Sequence, residues 1–153
     1  KDLESLIAIS KEKNIHMETL RAAKKANNNQ KAKMGTKLEN LINASLEDKK
    51  IAVLGLSFKA NTDDVRESSS IDMIEFILSK GGIVRAYDPI ANASMLKLFN
   101  NISYFEDAYD AVKGADALVV MTEWNEFRAL DLPRIKNIIC KDSLLFPLLL
   151  HIT

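Results

Sequence analysis

Apolar positions recur at helical spacing along the first third of the chain and give way to short apolar runs beyond it. Leu3, Leu6, Ile7 and Ile9 fall near the spacing of one helix face, and Asn14 before Ile15 and His16 marks a break ahead of a second helix. From Met17 to about Ser45, the positions Met17, Leu20, Ala23, Met34, Leu38, Leu41 and Ile42 keep that spacing, with Gly35 the one residue of low helix propensity. A helix of about 27 residues is about 40 Å long at about 1.5 Å per residue. That is more than a small domain buries alone, so the pattern predicts an apolar stripe that meets another domain or subunit. Asn27-Asn28-Asn29-Gln30 interrupts the stripe with amides, suited equally to hydrogen bonds across a helix interface and to a solvated face.

Past the polar Glu47-Asp48-Lys49-Lys50 the pattern becomes strands alternating with helices, which places a boundary near residues 46–50 and divides the chain into segments 1–47 and 48–153. Ile51–Leu56 is a short apolar strand. Ile71, Ile74, Ile77 and Leu78 share one face of a helix over residues 70–80, stopped by Gly81-Gly82. Ile83–Tyr87 is the second strand, closed by Asp88-Pro89, and a helical segment around 91–99 leads to Ile102–Phe105. Asp107–Val112 reads as a helix ending at Gly114, Asp116–Met121 as an apolar strand, Leu132–Ile139 as a helix and Ser143–Leu150 as a last strand. This alternation predicts an α/β fold: a Rossmann-like parallel sheet with helices on both faces and right-handed crossovers, preceded by the long helical segment.

Charge adds an asymmetry and excludes some partners. Lys plus Arg (21) equal Asp plus Glu (21), so net charge favours neither nucleic acid nor an anionic membrane. Residues 1–50 carry eleven basic and seven acidic side chains, and residues 51–153 ten and fourteen, in keeping with two segments of different character. No apolar run approaches the roughly 18 residues of a transmembrane helix. The single cysteine, Cys140, excludes an intrachain disulfide and fits a reducing, cytoplasmic setting; within Ile138-Ile139-Cys140 it reads as a small buried residue. His16 and His151 lack metal-ligand spacing. The first residues, Lys1-Asp2-Leu3-Glu4, resemble neither an initiator nor a signal segment, so an interior cut in a longer protein is expected.

Candidate chemistry concentrates in Gly55–Ser70, the loop that ends the first strand and opens a helix. In such sheets this loop sits at the carboxyl edge, and the helix N-terminus after it offers backbone N–H groups to an anion. Lys59 suits a phosphate as a point charge, Phe58 suits stacking on a base or ring, and Arg66 offers a bidentate fork, together suggesting a nucleotide or nucleotide-sugar pyrophosphate. On residue types alone the stronger reading is plainer: Lys59 and Arg66 pair with Asp63, Asp64 or Glu67 in a solvated loop. Asp63-Asp64, Thr62 and Ser68-Ser69-Ser70 read first as caps for the helix near residue 70. A dinucleotide phosphate loop has three glycines and this turn has Gly55 alone, which argues against ordinary NAD binding here. Asp88 ends the second strand where a ribose-binding acid sits in such folds, but without the glycines a turn and helix cap is preferred. Trp124 either lines the carboxyl-edge crevice or covers the core.

Gly-Leu-Ser-Phe-Lys-Ala-Asn-Thr-Asp-Asp-Val-Arg-Glu-Ser-Ser at 55–69 resembles the nucleotide-sugar 6-dehydrogenases of the UDP-glucose/GDP-mannose family. Lys1-Asp2, Asn27 with Gln30, Tyr87-Asp88-Pro89, and Ala115–Trp124 with Phe127 agree in order and spacing, so the resemblance covers the chain to about residue 146. Thr122-Glu123-Trp124 is more similar to the UDP-glucose branch than to the UDP-N-acetylmannosamine or GDP-mannose branches. The resemblance implies a chain comprising a central dimerisation helix and a UDP-binding domain, without the NAD-binding domain that precedes them in the family. It implies oxidation of a sugar C6 hydroxyl to a carboxylate with two NAD, through a thioester on a cysteine expected just before this chain begins. By position, Asp2 matches an acid of the catalytic water or base network and Lys1 a residue beside the cofactor. Phe58 and Lys59 match substrate contacts, and Arg66 a residue reaching the NAD of the neighbouring domain.

The end of the chain departs from the family pattern. Phe146-Pro147-Leu148-Leu149-Leu150 stands where relatives carry a substrate-binding Arg, and Leu149 aligns with it. Loss of a charge-assisted hydrogen bond is worth about 1.5–3 kcal/mol, or tenfold or more in affinity. The leading expectation is part of an NAD-dependent enzyme that oxidises UDP-glucose, forms a homodimer through the long helix and is inactive as this segment alone. The alternatives are a noncatalytic nucleotide-binding or dimerisation module, or a dehydrogenase for another nucleotide sugar.

Overall fold

The computed structural model describes residues 17–42 and 45–139 with Leu6, Ile9, Ser10, Glu12 and Lys13; at 20, 21, 23–25 and 27–32 it describes the backbone alone. Four strands form the sheet: β1 (Lys50–Leu54), β2 (Ile83–Tyr87), β3 (Ser103–Tyr104) and β4 (Ala117–Val120). All pairings are parallel, in the order β3-β2-β1-β4. Lys50 pairs with Ile83 and Leu54 with Tyr87, while Ile51 pairs with Ala117 and Leu54 with Val120. Four of the five expected strands are therefore present: Ile83–Tyr87 with the expected bounds, the first shifted to begin at Lys50 and end at Leu54, and the other two shorter by one residue at each end. β1 stops at Leu54 because Gly55 turns the chain with φ +85°.

Alternation along the central strand sorts the core into two layers. Ile51 and Val53 face one side, with Val84, Ala86, Ala117 and Val119, against the helices α1 (Glu18–Ile42) and α2 (Ser69–Ser79) and against Met95 of α3 (Asn92–Leu96). Ala52 and Leu54 face the other, with Leu118 and Val120, against α4 (Ala108–Val112) and α6 (Leu132–Ile138). A strand buried on both faces reads as a continuous apolar run, which is why Ile-Ala-Val-Leu at 51–54 lacks polar alternation. The short helix α5 (Asn125–Arg128) was not expected. Its single turn offers no period, yet it buries Phe127 edge-on to Tyr87 at 6.0 Å between ring centroids.

The long helix occupies Glu18–Ile42, within the expected span. Met34 and Leu38 are buried against the sheet's helical layer, and burial of a side chain of this size contributes about 1.5–3 kcal/mol. Gly35 lies where α1 meets α2: a Cβ there would stand 2.8 Å from ring carbons of Phe76. Lys80 closes the same junction, pairing with Glu39 at 2.8 Å while its ammonium lies 5.5 Å from the Phe76 ring centre. The glycine that weakens the helical pattern is thus the residue that lets the helix approach the domain.

The expected strand Ser143–Leu150, the helix in residues 3–9 as a whole, and Cys140, His16 and His151 lie outside the described residues. Among the described residues no helix is long and apolar enough to cross a membrane, and no group of three His, Cys, Asp or Glu side chains is placed to hold a metal ion.

Candidate functional site

From β1 the chain passes to β2 and β3 on one side, then returns to β4 on the other, so the order reverses between β1 and β4. Loops leaving the carboxyl ends of such a pair diverge and leave a crevice. Here they are Gly55–Ser68 after β1 and Met121–Trp124 after β4, with Asp88–Ala91 after β2 alongside. The first loop is held close to both neighbours. Gly55 N donates to Tyr87 O at 2.9 Å and Met121 N to Leu54 O at 2.8 Å. A Cβ at Gly55 would lie 2.7 Å from both Cβ and backbone N of Thr122.

Asp88 joins all three loops. Its Oδ2 accepts from Leu56 N at 2.7 Å, from Ser57 N and Ser57 Oγ at 3.2 Å each, and from Trp124 Nε1 at 3.2 Å. Its Oδ1 accepts from Ile90 N at 2.9 Å and Ala91 N at 2.8 Å. With 2% of its surface exposed, the carboxylate has exchanged water for protein donors, the condition under which a buried charge is tolerated. The expected turn at Tyr87-Asp88-Pro89 is present, and the same side chain also reaches residues 31 to 36 positions away. Trp124, 7% exposed, covers the core and donates to this carboxylate at the crevice, so both roles considered for it apply.

The carbonyls of the first loop are occupied as well. Leu56 O accepts from Ser70 Oγ at 2.8 Å, and Ser57 O accepts from Thr122 Oγ1 at 2.7 Å and Ser68 Oγ at 3.3 Å. Ser68 is the N-cap of α2, its hydroxyl accepting from Ser70 N at 3.2 Å. Two expectations are corrected by this geometry. At the start of α2, Ser68 and Ser70 are buried, Ser70 N donates to Ser68 Oγ and Ile71 N to Ser68 O, so these N–H groups are not offered to an anion. Asp63 and Asp64 do not cap the helix; Asp64 instead accepts from Arg66 N and takes the Arg66 guanidinium at 2.9 and 2.7 Å. That hydrogen bond, then the attraction of the charge itself, raises the guanidinium's already high pKa.

What remains outward is the arc from Phe58 to Asp64, closed at its base by Phe58 N donating to Asp64 O at 2.8 Å and anchored beyond by buried Val65. Phe58 exposes 61% of its surface, the largest fraction among the exposed large apolar side chains of the described residues. Lys59 beside it is exposed and makes no ion pair among the described residues. Of the cations read from the sequence, Arg66 therefore meets the plainer reading of pairing within the loop, and Lys59 does not. Lys1 and Asp2, the other expected site residues, lie outside the described residues, as does Leu149.

Among the described residues no buried side-chain nitrogen or oxygen lacks a hydrogen-bond partner. Recognition at this edge thus falls to exposed groups. A cleft of about 420 Å³ on the far side of Asp88 holds the acids Asp88 and Glu106 and no cation, which disfavours a diphosphate there. NAD fits the first loop no better. Its pyrophosphate needs backbone N–H donors, and those of Leu56 and Ser57 point at Asp88.

The fold and edge define a Rossmann-like α/β domain whose first loop is built for something other than a dinucleotide. Residues 52–149 match the UDP-glucose/GDP-mannose dehydrogenase family, UDP binding domain, and the chain belongs to that family. It is 38% identical over 137 residues to UDP-glucose 6-dehydrogenase of Rhizobium meliloti, covering 90% of this chain and 31% of the relative. Against UDP-glucose 6-dehydrogenase AglM of Haloferax volcanii the identity is 40% over 131 residues, covering 86% and 30%. A UDP-glucose dehydrogenase structure from Pyrobaculum islandicum superposes with a TM-score of 0.80 at 26% identity, covering 86% of this chain and 30% of that one. The chain therefore spans about a third of the length of these relatives.

Proposed function

We propose that this chain is the central-helix and UDP-binding portion of an NAD-dependent UDP-glucose 6-dehydrogenase, with residues 1–47 the helical dimerisation segment and 48–153 the UDP-sugar domain. The observation that carries the reading is the presentation of Phe58 and Lys59: a stackable ring and a cation without an ion pair among the described residues, side by side on a turn whose base is immobilised by hydrogen bonds. Phe58 would cover a face of the nucleotide sugar and Lys59 would neutralise its pyrophosphate or a sugar oxygen, supplying charge rather than chemistry.

NAD would accept the hydrides, and it is assigned to the part of the enzyme outside this chain. Arg66 is the cofactor-facing cation in this reading. Its guanidinium stands at the surface, held by a partly exposed Asp64 in a two-point contact, so facing the cofactor would require it to exchange that partner. Lys1 would lie beside the cofactor and Asp2 in the network that activates water. UDP-glucose as substrate is supported by the names of the relatives in Rhizobium meliloti and Haloferax volcanii.

Titration calorimetry of the 153-residue chain with UDP tests the site. UDP should bind, and Lys59→Ala should weaken it about tenfold, the loss typical of one charge-assisted hydrogen bond. Equal affinity in the two proteins would remove Lys59 from the site.

A further inference from the structure

We propose that Asp88 is a positioning residue for nucleotide binding: its buried carboxylate holds Leu56 and Ser57 and thereby sets where Phe58 and Lys59 stand at the crevice. The proposal rests on the reading of Phe58 and Lys59 as UDP contacts and adds a residue that touches no ligand itself.

Six donor groups converge on this carboxylate, three of them from the two residues that precede Phe58. The chain from Ser57 to Lys59 is only two peptide bonds long, so a small rotation at Ser57 is carried directly to the Lys59 side chain. Among the described residues, the other hydrogen bonds to Ser57 are to its carbonyl, from Thr122 and Ser68, and the turn beyond it is closed by Phe58 N donating to Asp64 O. Asp88 alone among the described residues accepts from the N–H groups of Leu56 and Ser57. Through Trp124 Nε1 and the Ile90 and Ala91 amides, it also ties that turn to the loops after β4 and β2. All its partners are donors, so an amide in its place is mismatched whichever way it is turned: one NH₂ must face N–H groups. The position resembles that of the ribose-binding acid in dinucleotide folds, but here the carboxylate is turned into the protein and carries no capacity for a hydroxyl of a ligand.

Asp88→Asn is therefore the near-isosteric test, read as a double-mutant cycle with Lys59→Ala and UDP as the probe, alongside urea unfolding of each protein. Positioning predicts that Asp88→Asn weakens UDP about tenfold, and that Lys59→Ala then adds less than about threefold where it adds about tenfold in the parent chain. A residue acting on stability alone would lower the unfolding midpoint yet leave the Lys59→Ala effect undiminished in the folded variant, and that result overturns the proposal. Should Asp88→Asn fail to fold, amide hydrogen exchange of the parent chain replaces the cycle: the Leu56 and Ser57 N–H groups held by Asp88 should be protected before UDP is added, and exchange at the rate of free amides until UDP binds overturns the proposal. If Lys59→Ala has no effect in the parent, the underlying assignment of Lys59 falls, and the two failures are told apart by that first measurement.

Discussion

Gly55 and Asp88 make one arrangement from opposite sides. Asp88 draws the N–H groups of Leu56 and Ser57 inward, which is possible only because Gly55 bends at φ +85° and lets Thr122 approach. Gly55→Ala adds a side chain in a conformation L-residues avoid and places it against Thr122 backbone as well as side chain. It should lower the unfolding free energy by about 2–4 kcal/mol, measured by urea unfolding, and an unchanged midpoint would refute the close approach. The sequence marks Gly55 as a lone turn glycine and Asp88 as a turn former, and both readings are right as far as they reach. The convergence on Asp88 was not legible, because Leu56, Ser57 and Trp124 are more than thirty positions away and nothing in their types announces a shared partner. Lys59 was legible as a candidate cation, but only the fold separates it from Arg66, which Asp64 holds two residues away.

At the scale of elements, the strands were legible because a sheet covered on both faces demands apolar runs: β1 after Lys50 and β4 are continuous ones, and β2 is interrupted only by Arg85, whose guanidinium donates to the Ala111 and Asp110 carbonyls. Helix ends were legible where a cap had a polar side chain: Ser68 at α2, and Asp107 and Asp131 at α4 and α6, each accept from the first-turn amides. The single turn α5 has no such signature and follows from the packing of Phe127. Gly35 illustrates competition between local and tertiary preference. Helix propensity favours Gly35→Ala by about 1 kcal/mol, whereas forcing a methyl into the Phe76 ring costs about 1–3 kcal/mol. Packing should win, so the substitution is expected to destabilise the protein. In a Phe76→Leu background the ring is gone and the sign should reverse, to a gain of a few tenths to about 1 kcal/mol. Thermal or urea unfolding of the four proteins decides it, and a destabilisation that persists without the ring would show that Gly35 is needed for another reason.

At the scale of the molecule, the helix α1 joins the domain through its last third, where Met34, Gly35, Leu38 and Glu39 meet α2 and its C-terminus. Its 25 residues extend about 37 Å at about 1.5 Å each, well past that junction. We expect the chain to associate through this helix. Sedimentation velocity at tens of micromolar should give a dimer, and a monomer across that range would exclude the helix as a sufficient association surface. The close approach at Gly35 then has a mechanical meaning. From Gly35 to Glu18 is about 25 Å of helix, a lever whose junction with the domain has its tightest contact at Gly35 against the Phe76 ring. A tilt of about 5° at that junction moves the far end by about 2 Å, roughly half the optimal separation of two packed carbon atoms. In the dimer expected above, the accuracy of docking on the far half would depend on Gly35 and Phe76, so a methyl group added there should be felt as misalignment between subunits as well as strain within one.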